Sequence, residues 1–262
     1  MNKLISFLLI SILALSLTSC ESNDSPLVVS PSNLTATNKV LVEIFTNTSC
    51  IPCVPANQFL DNIYNLQGVT INDTNVIIIR YHTALYPNDP FYLYNVSQND
   101  ARISYYNSAS SNPRGFLRGT FMGQFSIGTW TNLINERLAT TSSYGVSATN
   151  TFNASNRTGT LDITVGQLSG NTQDGIVLHV ALTEDSLAFT GQNGETLFEN
   201  VLRNFITPVS GEPFSISSGQ SANFVLNYTV NNAINLSHAN FIIFVQKVST
   251  KEVFVVEKYS VD

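Results

Sequence analysis

Charge is what this 262-residue chain most conspicuously lacks. Asp, Glu, Lys and Arg make up 11% of it, against about a quarter in an ordinary soluble domain. Its formal net charge is −6, and no cluster of Lys and Arg occurs along it. Nothing here would neutralise a phosphate backbone, so a nucleic-acid partner is not expected. Cysteine is also scarce, with only Cys20, Cys50 and Cys53. A zinc site asks for four ligands, and there is no second cysteine pair to supply them. His82, His179 and His238 are the only histidines, and two fall late in the chain, so no metal and no other cofactor is expected. No Ser/His/Asp arrangement, phosphate loop or paired-carboxylate signature points to another enzyme class. Hydrophobic residues, at 43%, are plentiful enough for a substantial core. The polarity comes from Asn, Ser and Thr, which suit an envelope or extracellular surface.

The start, MNKLISFLLISILALSLTSC, sets the expected compartment. Lys3 precedes an apolar run, Leu4 to Leu17, too short to span a bilayer comfortably. The run ends in Leu17-Thr18-Ser19-Cys20, which resembles the lipobox of bacterial lipoproteins. That resemblance implies a signal peptide over residues 1–19, cleavage, and acylation of Cys20, giving a lipid-anchored protein of the cell envelope. No later apolar stretch is long enough to cross a membrane. Residues 20–38 are rich in Ser, Asn, Thr and Pro and read as a flexible tether.

Order is expected from Lys39. VLVEIF (Val40 to Phe45) and NVIIIRYH (Asn75 to His82) are continuous apolar, β-branched runs, the pattern of strands covered on both faces. Phe59, Leu60, Ile63 and Leu66 between them have helical spacing, so a β-α-β unit with a parallel pair is expected. The aromatic stretch from Thr83 to Asn107 reads as a helical insertion or lid. Gly119 sits where two short strands would turn, and Trp130 to Leu138 has helical spacing, capped by Thr129 or Thr131. Beyond residue 143, strand-like runs separated by Gly, Ser and Asn predict an antiparallel sandwich, interrupted by one helical piece, TLFENVLRNFI. The expected domains are therefore 39–142 and 143–262.

The chemistry concentrates in SCIPC, from Ser49 to Cys53. Thiol–disulfide exchange needs an attacking thiolate, a resolving thiol beside it, and exposure. A CxxC opening a helix would supply them: the helix N-terminus favours the Cys50 anion, and Cys53 lies one turn on. Pro52 suits a first helical turn, where its missing N–H has no partner anyway. As a plain crosslink, a four-residue ring would contribute only about 2 kcal/mol by chain entropy. A structural or silent pair nevertheless stays open at this point.

VLVEIF, SCIPC, NVIIIRYH, then Asn112-Pro113 before FLRG and a closing helix together resemble the thioredoxin superfamily. With the lipobox and β-rich second half, the whole is similar to thioredoxin-like outer-membrane lipoproteins. The resemblance implies an α/β thioredoxin-like domain followed by an all-β, immunoglobulin-like sandwich. It implies catalytic Cys50 and Cys53, with Asn112 and a cis Pro113 seating an extended substrate. Glu43 and His82 are candidate tuning residues, although Glu43 is one residue out of step with the buried carboxylate of thioredoxins. The expected partners are extracytoplasmic protein thiols or disulfides, and the membrane through Cys20. The rival expectation is a non-catalytic surface lipoprotein that binds protein or glycan.

Overall fold

The computed structural model describes residues 27–29, 34–63 and 75–262. The expected signal peptide, Cys20, most of the segment read as a tether, and Leu66 lie outside the described residues. The chain order is β1 (Leu27–Val29), β2 (Val40–Thr46), α1 (Cys53–Asp61), β3 (Val76–His82), α2 (Pro90–Tyr94), α3 (Val96–Tyr106), β4 (Arg114–Leu117), β5 (Thr120–Phe121) and α4 (Ile127–Leu138). There follow β6 (Tyr144–Asn153), β7 (Thr158–Gln167), β8 (Ile176–Glu184), β9 (Leu187–Ala188), β10 (Leu197–Phe198), β11 (Val201–Phe205), β12 (Glu212–Phe214), β13 (Gln220–Thr229), β14 (Ala239–Lys247) and β15 (Val253–Ser260). β1 falls within the segment read as a tether and pairs antiparallel with β13.

The backbone of the fold is one mixed sheet of nine strands, ordered β15-β14-β8-β11-β3-β2-β4-β5, with β12 added on β8. β2 and β3 run parallel, as their doubly covered sequences require, and every residue of both is buried. β11 then joins the halves of the chain, parallel to β3 on one side and antiparallel to β8 on the other. This overturns the expected thioredoxin-like α/β domain followed by an immunoglobulin-like sandwich. Strands from both halves share one hydrogen-bonded ladder, so no self-contained sheet belongs to the first. The segment TLFENVLRNFI, expected as a helix, supplies β10 and β11, because a central position between two strands overrides its helical spacing.

Three cores follow from strand parity. Val40, Val42 and Ile44 of β2 face α1 and α4, packing with Phe59, Leu60 and Trp130. Leu41 and Phe45 face the other way, into a core with Ile103 and Tyr106 of α3, Phe244 of β14 and Val256 of β15. The third core lies between β8, β14 and β15 and the separate four-stranded sheet β1-β13-β7-β6. The large sheet curls, so that its far ends meet: the Val253 N–H donates to the Arg118 carbonyl at 3.1 Å, and Arg118 Nε donates to the Val253 carbonyl at 2.8 Å. α3 is thus a core element and not a lid. Ser126, rather than Thr129 or Thr131, caps α4 by accepting the Thr129 N–H.

Candidate functional site

Cys50 and Cys53 are joined in a disulfide, with Cα atoms 5.3 Å apart. Helix α1 begins at Cys53, with Pro52 at its N-cap, so Cys50 precedes the helix in a tight turn and does not open it. The Cys50 N–H donates to the Asn47 carbonyl and the Cys50 carbonyl accepts the Cys53 N–H, both at 3.1 Å. Pro55 falls in the first helical turn, where a missing N–H costs nothing.

The loop ahead of the pair is tied to the segment beyond β3 by its own Asn47 and by the Asp89 side chain. Asn47 Nδ2 donates to the carbonyls of Thr83 at 2.7 Å and Tyr86 at 3.1 Å, while its Oδ1 accepts the Ser49 N–H. The Thr48 N–H donates to Asp89 Oδ2 at 2.8 Å. That same oxygen lies 2.8 Å from His82 Nδ1, and Asp89 Oδ1 caps α2 by accepting the Phe91 and Tyr92 N–H groups. Burial pushes the Asp89 carboxyl up, but the His82 imidazole and these N–H donors outweigh it and hold it below the usual carboxylate range. His82 is fully buried between the Phe91 and Phe198 rings, so its resolved partner is Asp89.

Asn112 and Pro113 do come to the same corner. Their peptide bond is cis, and Asn112 Nδ2 donates to Thr83 Oγ1 at 2.6 Å. Thr83 in turn donates its N–H to the Thr46 carbonyl at the end of β2. Glu43 does not join them. Its parity puts it on the face opposite α1, where Arg102, Tyr81 and Tyr106 all donate to its carboxylate. The out-of-step position visible in the sequence thus sends Glu43 into the α3 core.

One component of the site comes from more than 130 residues away. The hairpin formed by β9 and β10 docks its tip on the loop that carries Cys50. The Asn193 N–H donates to the Thr48 carbonyl at 3.1 Å, and Asn193 Nδ2 reaches the carbonyls of Asn47 and Cys50, each at 3.4 Å. Glu195 accepts Asn57 Nδ2 from α1 at 3.0 Å and also receives Asn193 Nδ2. Asn57 is a full helical turn beyond Cys53 and donates as well to Thr46 Oγ1. Both cysteines are 0% exposed, whereas Ile51 between them is 70% exposed. Asp89, Asn57, Asn193 and Glu195 were not legible as site residues. Asp89-Pro90 carries a helix-start signature and Asn193-Gly194 a turn signature, but neither says where the turn will dock.

A model of the family described as outer membrane protein Omp28 matches residues 99–262. It replaces the thioredoxin-superfamily resemblance drawn from the motifs, in keeping with the single shared sheet. Among solved structures, HBP35 of Porphyromonas gingivalis is similar over 87% of this chain and 76% of its own, with 14% identity and a TM-score of 0.74. At that identity the likeness is one of fold. A domain of the outer membrane lipoprotein Omp28 from Porphyromonas gingivalis aligns over 46% of this chain and 89% of its own, at 19% identity and a TM-score of 0.35, too low to carry an argument. No match was found among curated proteins.

Proposed function

Given that this chain belongs to the outer membrane protein Omp28 family, and so to the bacterial outer membrane, we propose that it is lipid-anchored there through Cys20 and exchanges disulfides with extracytoplasmic proteins through Cys50 and Cys53. The observation that supports the exchange reading is the ring itself. Two cysteines three apart are bonded just beyond a sheet strand, the second of them being the first residue of helix α1. Such a small ring adds only about 2 kcal/mol of stability, so crosslinking alone is a weak reason for it.

A partner thiolate attacks Cys50 Sγ, forming a mixed disulfide and expelling Cys53 as thiolate. A second partner thiolate attacks the partner sulfur of the mixed disulfide and releases Cys50. The partner dithiol loses two electrons and two protons to the pair, and the reverse sequence reduces a partner disulfide.

A second reading has an observation of its own. Both cysteines are wholly covered, and exchange requires access. On that reading the disulfide is structural and the chain is a non-catalytic outer-membrane protein that binds protein or glycan. The reduction potential decides between them. A value between about −120 and −270 mV, with Cys53→Ser trapping mixed disulfides in envelope extracts, is expected for exchange. A value below about −300 mV with no trapped adducts would leave only the structural reading.

A further inference from the structure

We infer that the tip of the β9–β10 hairpin, residues 190–195, is a removable cover on the Cys50–Cys53 disulfide, latched by Asn193 and Glu195, and that a partner must displace it by offering its own N–H donors to the carbonyls of Asn47, Thr48 and Cys50. The inference rests on the exchange reading for its purpose, but not for its physical content.

The hairpin is built in two parts of different character. Its stem is apolar: Leu187 and Phe198 pack with Phe91 and Val201, and the Phe189 ring lies 5.8 Å from that of Phe91. The tip, Thr190-Gly191-Gln192-Asn193-Gly194-Glu195, carries no large apolar side chain. Its polar contacts with the cysteine loop and α1 are hydrogen bonds, from Asn193 to three carbonyls and from Asn57 to Glu195. Water replaces such bonds at small net cost, whereas withdrawing the stem would expose buried rings. Opening is therefore confined to the tip, with the stem as its hinge.

Fit reinforces the point. Gly191 is buried, and a Cβ there would come within 2.6 Å of the Thr48 carbonyl oxygen and 3.3 Å of the Phe198 ring. The tip lies so close to the cysteine loop that a side chain cannot enter between them. The Asn193 main-chain N–H meets the Thr48 carbonyl as an incoming extended segment would, while its bonds to the Asn47 and Cys50 carbonyls come from side-chain Nδ2. An extended protein segment bearing a side-chain N–H donor at the matching position can replace all three bonds, which a globular surface without free N–H groups cannot do.

The test uses the full chain in its oxidised form, with tris(carboxyethyl)phosphine as the reductant and maleimide capture read by mass spectrometry. Asn193→Ala with Glu195→Ala removes every side-chain bond of the latch and leaves only the Asn193 main-chain N–H on Thr48, and Gly191→Val wedges the tip off without removing a polar group. Each is expected to speed reduction about tenfold or more, the factor that corresponds to roughly 1.4 kcal/mol, while thermal unfolding stays cooperative. Reduction within twofold of the wild type in folded variants overturns the cover. Hydrogen exchange on the unaltered protein serves if a variant does not fold. The Asn193 amide should exchange well ahead of the stem amide of Phe189, and equal protection of the two overturns the proposal. Failure of the exchange reading looks different: faster reduction in the variants together with a potential too low for exchange keeps the cover and discards the exchange.

Discussion

At the scale of single residues, the polar groups inside this protein are more informative than the apolar ones. Arg102 is fully buried, donates to Glu43, and lies over the rings of Tyr105 and Tyr106 at 4.7 and 5.1 Å. Burial opposes its charge, and the Glu43 carboxylate more than offsets that. Arg102→Leu would leave Glu43 as an unpaired buried charge, and urea unfolding should report a loss of about 3–5 kcal/mol. His179 faces the same core, stacked on Phe244 at 4.6 Å. Burial and the nearby Arg102 charge push its pKa well below the ordinary 6.5, so it stays neutral when folded. The unfolded chain therefore binds more protons below pH 6.5. Stability from this group is complete above that value and is lost as pH falls below it towards the folded pKa. His179→Phe should flatten the fall in urea midpoint between about pH 6.5 and 5. An unchanged slope would remove His179 as its source.

At the scale of elements, turns decide which pieces meet. Arg118 and Gly119 link β4 to β5 with φ of 47° and 86°. A Cβ on Gly119 would lie 1.8 Å from the Lys251 carbonyl oxygen, in the turn between β14 and β15. Gly119→Ala should cost about 2 kcal/mol or more through the left-handed backbone and the clash, lowering Tm by roughly 4–8 °C. Thermal unfolding followed by circular dichroism would detect it. The same turn was readable in the sequence from Gly119 between short strands. Its docking on the far end of the chain was not, because local sequence specifies a turn's shape and not what lies across from it.

At the scale of the molecule, the nine-stranded sheet makes the two halves of the chain interdependent. β3 needs β11 to cover its edge, and Arg102 and Tyr106, both donors to Glu43, are each bonded to Gln246 of β14 in one buried network. An isolated fragment covering residues 39–142 would expose the edge of β3 and lose the β11 and β14 side of its core. It should give no cooperative thermal transition, whereas a chain from residue 34 to 262 should unfold in a single step. A folded, cooperatively melting 39–142 fragment would show that the shared ladder is dispensable. Outer-membrane residence is likewise a property of the whole chain, carried by the family that matches most of it.

Local pattern alone determined the parallel pair β2 and β3, the intervening helix, the turn at Gly119, the helix α4 and the strand-rich second half. Each is set by side-chain periodicity or by backbone preference within a few residues. The cysteine pair was equally plain, since spacing in the chain is enough to see it. Only the tertiary structure decided that TLFENVLRNFI is strand, that Glu43 turns away from the cysteines, and that residues 190–195 dock on the loop that carries Cys50. Those outcomes depend on which element lies alongside. A central position in a sheet outweighs helical spacing, the parity of a strand decides its face, and a polar tip lodges wherever donors and acceptors meet it.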